Sequence, residues 1–234
     1  MKSLKSLIKK RLNLLLNSVN KNNRHFNKRI FTKIYEKDLF NARSGNENSV
    51  SKSGSGSDLE QTKEIIKSLP LLFEKYQIKS VFDAPCGDFY WMKQVDLKGI
   101  QYTGGDIVDK VIKANNSQFS SENISFKEID VVNDTLPKVD LILCRDLLVH
   151  LKNQQIVKAL KNFKKSGSKY LLTTSFKNTT INNDNGIIGF WRTINLELPP
   201  FNLINPIDEI FENCKEGNGK YNDKHLLLYQ INED

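Results

Sequence analysis

Residues 80–92 read SVFDAPCGDFYWM. A short apolar run closes on a carboxylate, Asp83, then enters a tight turn containing Pro85 and a single glycine, Gly87. Two readings compete: a loop that receives a cofactor at a strand end, or an ordinary strand end marked by a turn-forming aspartate. The rest of the chain decides between them.

Working outward, short apolar runs alternate with helical periods. Strands are expected at 79–83 (KSVFD), 101–106 (QYTGGD), 124–130 (ISFKEID), 139–144 (VDLILC), 169–175 (KYLLTTS) and 224–231 (KHLLLYQI). Helices are expected near 89–95, 108–115, 152–165 and 207–214. Ser57 and Glu60 make an S-x-x-E capping box before the apolar positions Leu59, Ile65, Ile66, Leu69 and Leu72, with Pro70 expected to bend or divide that helix. Strands alternating with helices imply parallel βαβ units, and ligands of such sheets bind beyond the carboxyl ends of the strands.

Those ends are chemically distinctive. The first strand closes on Asp83, the second on Asp106, the third on Asp130, and the fourth runs into Cys144-Arg145-Asp146. One aspartate after a strand is commonplace; four along one sheet edge point to a ligand. Asp106 lies 23 residues beyond Asp83, the spacing at which nucleotide-binding α/β folds bond ribose hydroxyls. A pyrophosphate calls for a G-x-G-x-x-G turn with exposed backbone N–H groups. Here Asp83 and Asp88 flank the turn instead; they would repel a pyrophosphate and suit a cofactor bearing a sulfonium and an ammonium. A dehydrogenase is therefore the weakest reading, and S-adenosylmethionine the better cofactor.

These residues resemble the class I S-adenosylmethionine-dependent methyltransferases over about residues 53–234. The segments SGSGS, DAPCGDFYWM, YTGGDI, LPKVDLILCRDLLVHL, SGSKYLLTTSF and WRTINLELPPFNL are similar to a bacterial branch of that family, some of whose members belong to surface-polysaccharide gene sets. In the family's D-x-G-x-G-x-G loop, Asp83 and Gly87 match, while Pro85 and Phe89 replace the outer glycines. The resemblance implies an α/β, Rossmann-like sandwich whose mostly parallel sheet has seven strands, the last antiparallel. It implies that Asp83, Ala84 and Gly87 line the methionine part of the cofactor and that Asp106 and Ile107 hold the ribose and flank the adenine. Asp130 and Val131 would meet the adenine amino group, and Arg145 would sit beneath the transferring methyl.

Methyl transfer to a hydroxyl benefits from a base. CRDLLVHL offers Asp146 and His150, four residues apart and on one side if a helix begins there. They are the catalytic candidates, the histidine resembling one in several small-molecule O-methyltransferases. Trp191 and Arg192 in FWRTIN are the substrate-binding candidates, suited to stacking on and ion-pairing with a sugar or phosphate. Tyr90 and Trp91 read as packing residues, and Ser53–Ser57 as a lid or a linker. Pro85-Cys86 is not the nucleophile pair of cytosine methyltransferases, because it lies in the first loop; Cys86 reads as a small buried hydrophobe. No His/Asp/Glu set has metal-ligand spacing.

Charge divides the chain. Residues 1–33 hold ten basic and no acidic side chains, leaving 25 basic and 27 acidic for the remainder of a protein whose net charge is +8. The expected organisation is a basic amphipathic arm at 1–40, with Leu4, Leu7, Ile8, Leu12, Leu15 and Leu16 on one stripe, a flexible Gly/Ser-rich segment and candidate lid at 41–57, and a methyltransferase domain at 58–234. The arm lacks the apolar length of a signal peptide, and three isolated cysteines suit a reducing cytoplasm. The expected function is O-methylation of a small molecule, sugar or sugar-linked phosphate group in bacterial surface-glycan synthesis. Alternatives are a non-catalytic assembly subunit, or an RNA methyltransferase using the arm as a phosphate clamp. Nucleic acid is disfavoured as a partner, and the arm is the candidate for membrane-surface contact or self-association.

Overall fold

The computed structural model describes residues 23–44, 50–184 and 186–232. The stripe from Leu4 to Leu16 lies outside them. Helix α1 occupies residues 23–36 and is followed by a short α2, Leu39–Ser44. Next come α3 (Leu59–Lys75), β1 (Ser80–Asp83), β2 (Gln101–Asp106), α4 (Asp109–Phe119), β3 (Ile124–Glu128), β4 (Leu141–Cys144), α5 (Asn153–Lys165), β5 (Tyr170–Phe176), β6 (Asp208–Phe211) and β7 (Lys224–Gln230).

The seven strands form one sheet in the order β3-β2-β1-β4-β5-β7-β6. Neighbours from β3 through β5 pair in parallel, while β7 runs antiparallel to both β5 and β6. The expected α/β class and antiparallel last strand are both present. The order reverses between β1 and β4, so the crevice at the carboxyl ends of those strands is where such a sheet binds ligands.

Strand alternation divides the core. Phe82, Ile142, Leu171 and Phe176 face the layer containing Ile156, Ala159 and Phe163 of α5, together with Phe31 and Ile34 of α1. Val81, Leu141, Leu143, Leu172, Leu226 and Leu228 face the layer containing Ile65, Leu69, Leu72 and Phe73 of α3. The central strands are buried on both faces, as parallel strands under two helical layers must be.

Four local expectations are corrected. Residues 207–214 hold strand β6 rather than a helix, and 89–95 hold only turns and a short 3-10 turn at Met92–Gln94. Pro70 sits inside an unbroken α3. Burial of Ile65, Leu69, Leu72 and Phe73, at roughly 1.5–3 kcal/mol each, outweighs the ~3 kcal/mol a proline costs a helix. That helix starts at Leu59 behind Asp58, with Ser57 ending a 3-10 turn, so Ser57 is not its cap. Helix α2 spans residue 40, and Phe31 and Ile34 of α1 belong to the core.

Candidate active site

Beyond the carboxyl ends of β1, β2 and β4 lies a cavity of about 680 Å³. Its lining joins Ala84–Asp88, Gly105–Val108, Ile129–Val132 and Arg145–Leu147 to side chains from α1 and the 53–58 segment. The first loop is held from both sides. Ala84 N–H donates to Leu143 O and Cys86 N–H to Gly105 O, each at 2.9 Å, fastening the turn to both neighbouring strands. Asn115 of α4 supports it through a 2.8 Å bond to Gly87 O. Phe89, standing where the family has a glycine, keeps a left-handed backbone at φ 58°. Its ring is buried against Tyr102, Phe119 and Phe126, with centroids 5.1–5.4 Å away.

The strand-end carboxylates have different surroundings. Asp83 is 2% exposed, accepts the Tyr102 hydroxyl at 2.7 Å and does not line the cavity. Burial pushes its carboxyl up to about 7, against the opposing pull of Tyr102 and Arg145. It therefore braces the floor beneath the loop, one layer below where the resemblance implied. Asp106 does line the cavity; burial raises it to about 6, while the backbone N–H groups of Val108, Gly87 and Ile107 pull it down. Its Oδ1 accepts Val108 N–H at 2.9 Å. Asp130 also lines the cavity and is raised by burial, with Val132 N–H at 2.9 Å on Oδ1 and Asn133 Nδ2 at 2.7 Å on Oδ2.

Asn27 of α1 also lines the cavity, with no local motif to mark it. It is 2% exposed, reaches Asp130 Oδ2 at 3.4 Å and accepts Gln155 Nε2 at 3.0 Å. Phe31 and Tyr35 of the same helix cover the cavity beside it. The Ser53–Ser57 segment lines the cavity as well. Ser51 and Ser53 donate to the Asp88 carboxylate at 3.0–3.2 Å, Tyr35 and Ser53 share a 2.5 Å hydroxyl contact, and Ser55 donates to Glu216 at 2.5 Å.

Arg145, Glu212 and Lys224, all buried, and the half-buried Asp146 form an array of alternating charge. Arg145 donates to Glu212 Oε2 through Nε (3.2 Å) and Nη2 (2.8 Å), and to Gly56 O at 2.9 Å. Lys224 Nζ reaches Asp146 Oδ2 at 2.6 Å and Glu212 Oε2 at 3.2 Å. Burial would raise the Asp146 carboxyl, but Lys224 and Arg145 overturn that and hold it down at about 2. Burial lowers His150 to about 4, with Arg43 and Lys224 adding to the effect and Asp146 opposing it. The imidazole is thus neutral through the physiological range. Its ring leans on Phe40 at 5.0 Å, and its Nδ1 is buried without a hydrogen-bond partner.

Asp146 and His150 both line the cavity, although the segment is a 3-10 turn over Leu148–His150 rather than the start of a helix. Trp191 lines it as well, edge-on to Tyr221 at 4.7 Å and Phe176 at 5.6 Å. Arg192 does not. Its guanidinium donates to the carbonyls of Asn183, Val149 and Leu151 and to Asn153 Oδ1, so it ties the long β5–β6 connection to the 149–153 turn. Trp91 packs beneath Arg145, 5.6 Å from ring to guanidinium, and also reaches the cavity. Among the described residues no group of His, Cys, Asp and Glu is arranged to hold a metal, and no helix is long and apolar enough to cross a membrane.

No protein-family profile matches the sequence, and no curated protein matches it significantly. Solved structures do match in three dimensions. Human N-acetylserotonin methyltransferase in complex with S-adenosylmethionine aligns with a TM-score of 0.55 at 15% identity, over 86% of this chain and 58% of its own length. The N-methyltransferase NodS from Bradyrhizobium japonicum aligns at 0.55 and 16% identity, over 75% of this chain and 99% of that one. A S-adenosylmethionine-dependent methyltransferase from Clostridium acetobutylicum aligns at 0.53 and 11% identity, over 73% and 92%. This chain thus spans little more than half the length of the human enzyme, and at these identities the likeness is one of fold. The protein has the Rossmann-like architecture of the S-adenosylmethionine-dependent methyltransferases.

Proposed function

We propose that the protein is a S-adenosylmethionine-dependent methyltransferase acting on an oxygen of a small-molecule or sugar-linked acceptor. One observation carries this reading: a single cavity joins the Gly87 loop, Asp106 and Asp130 to Asp146, His150 and Trp191. The residues present fit the cofactor. Two buried carboxylates open onto the cavity at the ends of neighbouring strands, and the first loop exposes backbone rather than cations. Asp106 is the residue to accept ribose hydroxyls, Asp130 and Asn27 to meet the adenine edge, and Ala84 to Gly87 to line the methionine part. When bound, S-adenosylmethionine supplies an activated methyl group, which leaves the protein the tasks of positioning and field.

At the acceptor end, His150 enters uncharged and Asp146 ionised. Neither is a strong base at its shifted value, so the pair accepts the hydrogen bond of the incoming hydroxyl and takes its proton as that oxygen becomes alkylated. Trp191 and Tyr221 offer aromatic walls for the acceptor. A surface-glycan setting, with a sugar or sugar-linked phosphate as acceptor, belongs to this proposal through the sequence resemblance alone. Arg24 and Lys28 of the arm bond to the domain's own Glu128 and Asp134.

Calorimetric titration of the folded protein with S-adenosylmethionine tests the reading, with NAD as control. Micromolar binding is expected, weakened about tenfold to a hundredfold by Asp106→Ala, since hydrogen bonds to a charged group contribute about 1.5–3 kcal/mol. No binding to the intact, folded chain would overturn it in favour of an assembly role.

A further inference from the structure

The array of Arg145, Asp146, Glu212 and Lys224 has no basis in stability alone. Each buried ion costs several kcal/mol in lost hydration, and replacing such arrays with apolar residues is often neutral or stabilising. Yet four charges from three separate segments converge here: Arg145 and Asp146 beyond β4, Glu212 just past β6, and Lys224 opening β7. Glu212 Oε2 is the hub, taking Arg145 and Lys224 together. Lys224 joins that hub to Asp146, whose backbone is left-handed at φ 56° and whose N–H is held by Thr174 Oγ1 at 2.9 Å. Asp146 Oδ2 meets both Lys224 and Arg145, at 2.6 and 3.3 Å, whereas Oδ1 has only a 3.4 Å contact with Thr174. The carboxylate is thus pinned mainly through one oxygen, and the residue lines the cavity. His150 stands on the same wall with its Nδ1 unpartnered.

We propose that Lys224 and Glu212 are positioning residues of the acceptor site: with Arg145 they hold the Asp146 carboxylate fixed, and the Lys224 ammonium offsets that carboxylate's charge at His150, so that the imidazole meets the acceptor hydroxyl without a proton. The inference rests on the methyl-transfer reading for its purpose but not for its test. A protonated imidazole would donate where an acceptor is needed and would set a second cation beside a cationic cofactor. The charged groups acting on His150 are Asp146 from its own turn, Lys224 from β7 and Arg43 beside α2's end; those acting on Asp146 are Arg145, Lys224 and His150. Lys224 is the member common to both. Its ammonium keeps Asp146 ionised and opposes a proton on His150.

The test follows the imidazole resonances of the cofactor-free full chain by NMR. The chain has three histidines, so single replacements of His25 and His225 assign His150. In the native protein the His150 ring is expected to stay neutral down to about pH 4. In Lys224→Met its midpoint rises by about one pH unit, the scale of a neighbouring charge, because one of the two cations opposing Asp146 is then gone. Lys224→Arg restores the native titration, and Asp146→Asn leaves the midpoint low. Should Lys224→Met fold poorly, Lys224→Met with Glu212→Gln removes one charge of each sign and shows the same rise. An unchanged His150 titration in the folded variants overturns the proposal. Failure of the cofactor to bind the native chain would instead overturn the methyltransferase reading and leave this result standing.

Discussion

Gly87 and Phe89 occupy left-handed backbone positions two residues apart, and only one of them has room for a side chain. Phe89 offsets the strain by burying its ring among Tyr102, Phe119 and Phe126. Gly87, at φ 52°, has no such outlet: a Cβ there would run into Ser53 Oγ, the hydroxyl that ties the 50–57 segment to Asp88 and Tyr35. Gly99 makes a clean comparison, being left-handed at φ 76° with nothing within 4 Å of a Cβ. Both alanine variants carry the left-handed penalty of about 1–2 kcal/mol, a melting loss of roughly 2–8 °C in a chain of this size. Gly87→Ala is expected to lose cofactor affinity as well, because Ser53 must move, whereas Gly99→Ala keeps it. Thermal scans and calorimetry on the two variants decide; equal cofactor affinity in both would mean that the Ser53 contact does not shape the site.

At the scale of elements, α1 is held by charges as well as by Phe31 and Ile34. Arg24 Nε bonds Asp134 at 2.9 Å and its Nη2 bonds Glu128 at 3.0 Å, while Lys28 meets Glu128 at 2.8 Å. These side chains are about 30% exposed, and such pairs contribute no more than about 1 kcal/mol each. Arg24→Ala with Lys28→Ala should lower the melting temperature by about 2–4 °C per kcal/mol lost, with the deficit shrinking in 1 M salt, where the screening length is ~3 Å. A deficit unaffected by salt would assign the docking to the apolar residues alone. The sequence showed the charge excess but not where it goes, since nothing local links residue 24 to residues 128 and 134. The first three parallel strands were legible because each runs out to an aspartate, Asp83, Asp106 or Asp130. Strand β6 was not, for a reason seen in its side chains. Ile207, Ile210, Phe211 and Cys214 fall at helical spacing, while the actual alternation buries Ile210, Glu212 and Cys214. An inward glutamate hides a period of two, and Glu212 points inward only because Arg145 and Lys224 are there to meet it. The same non-local array explains why Lys224 was missed: at the head of KHLLLYQI it reads as a solvated strand end.

For the molecule as a whole, the strand-end carboxylates couple stability to the proposed cofactor with opposite signs. Asp83 and Asp106 have folded values near 7 and 6, above the ordinary 3.8, so folding favours their protonated forms. The stability they contribute is full below about pH 4 and is lost as the pH rises through those values. For Asp83 alone the effect is at most a few kcal/mol, at ~1.36 kcal/mol per pH unit. Asp106, the one of the two that lines the cavity, accepts ribose hydroxyls best when ionised. Cofactor affinity should therefore rise between pH 5 and 8, over the range in which the free protein loses stability. At a hundredfold excess over the dissociation constant the ligand adds about 2.7 kcal/mol, a melting increase of roughly 5–10 °C. Held at one fixed cofactor concentration, that increase should be smaller at pH 5 than at pH 8, and Asp83→Asn should flatten the pH dependence of the free protein while leaving the cofactor's melting shift in place. Scanning calorimetry at the two pH values, with and without S-adenosylmethionine, measures both slopes. A cofactor-induced shift that is equal at the two pH values would mean that the carboxylates do not gain charge when the cofactor binds, and would remove Asp106 from the role assigned to it.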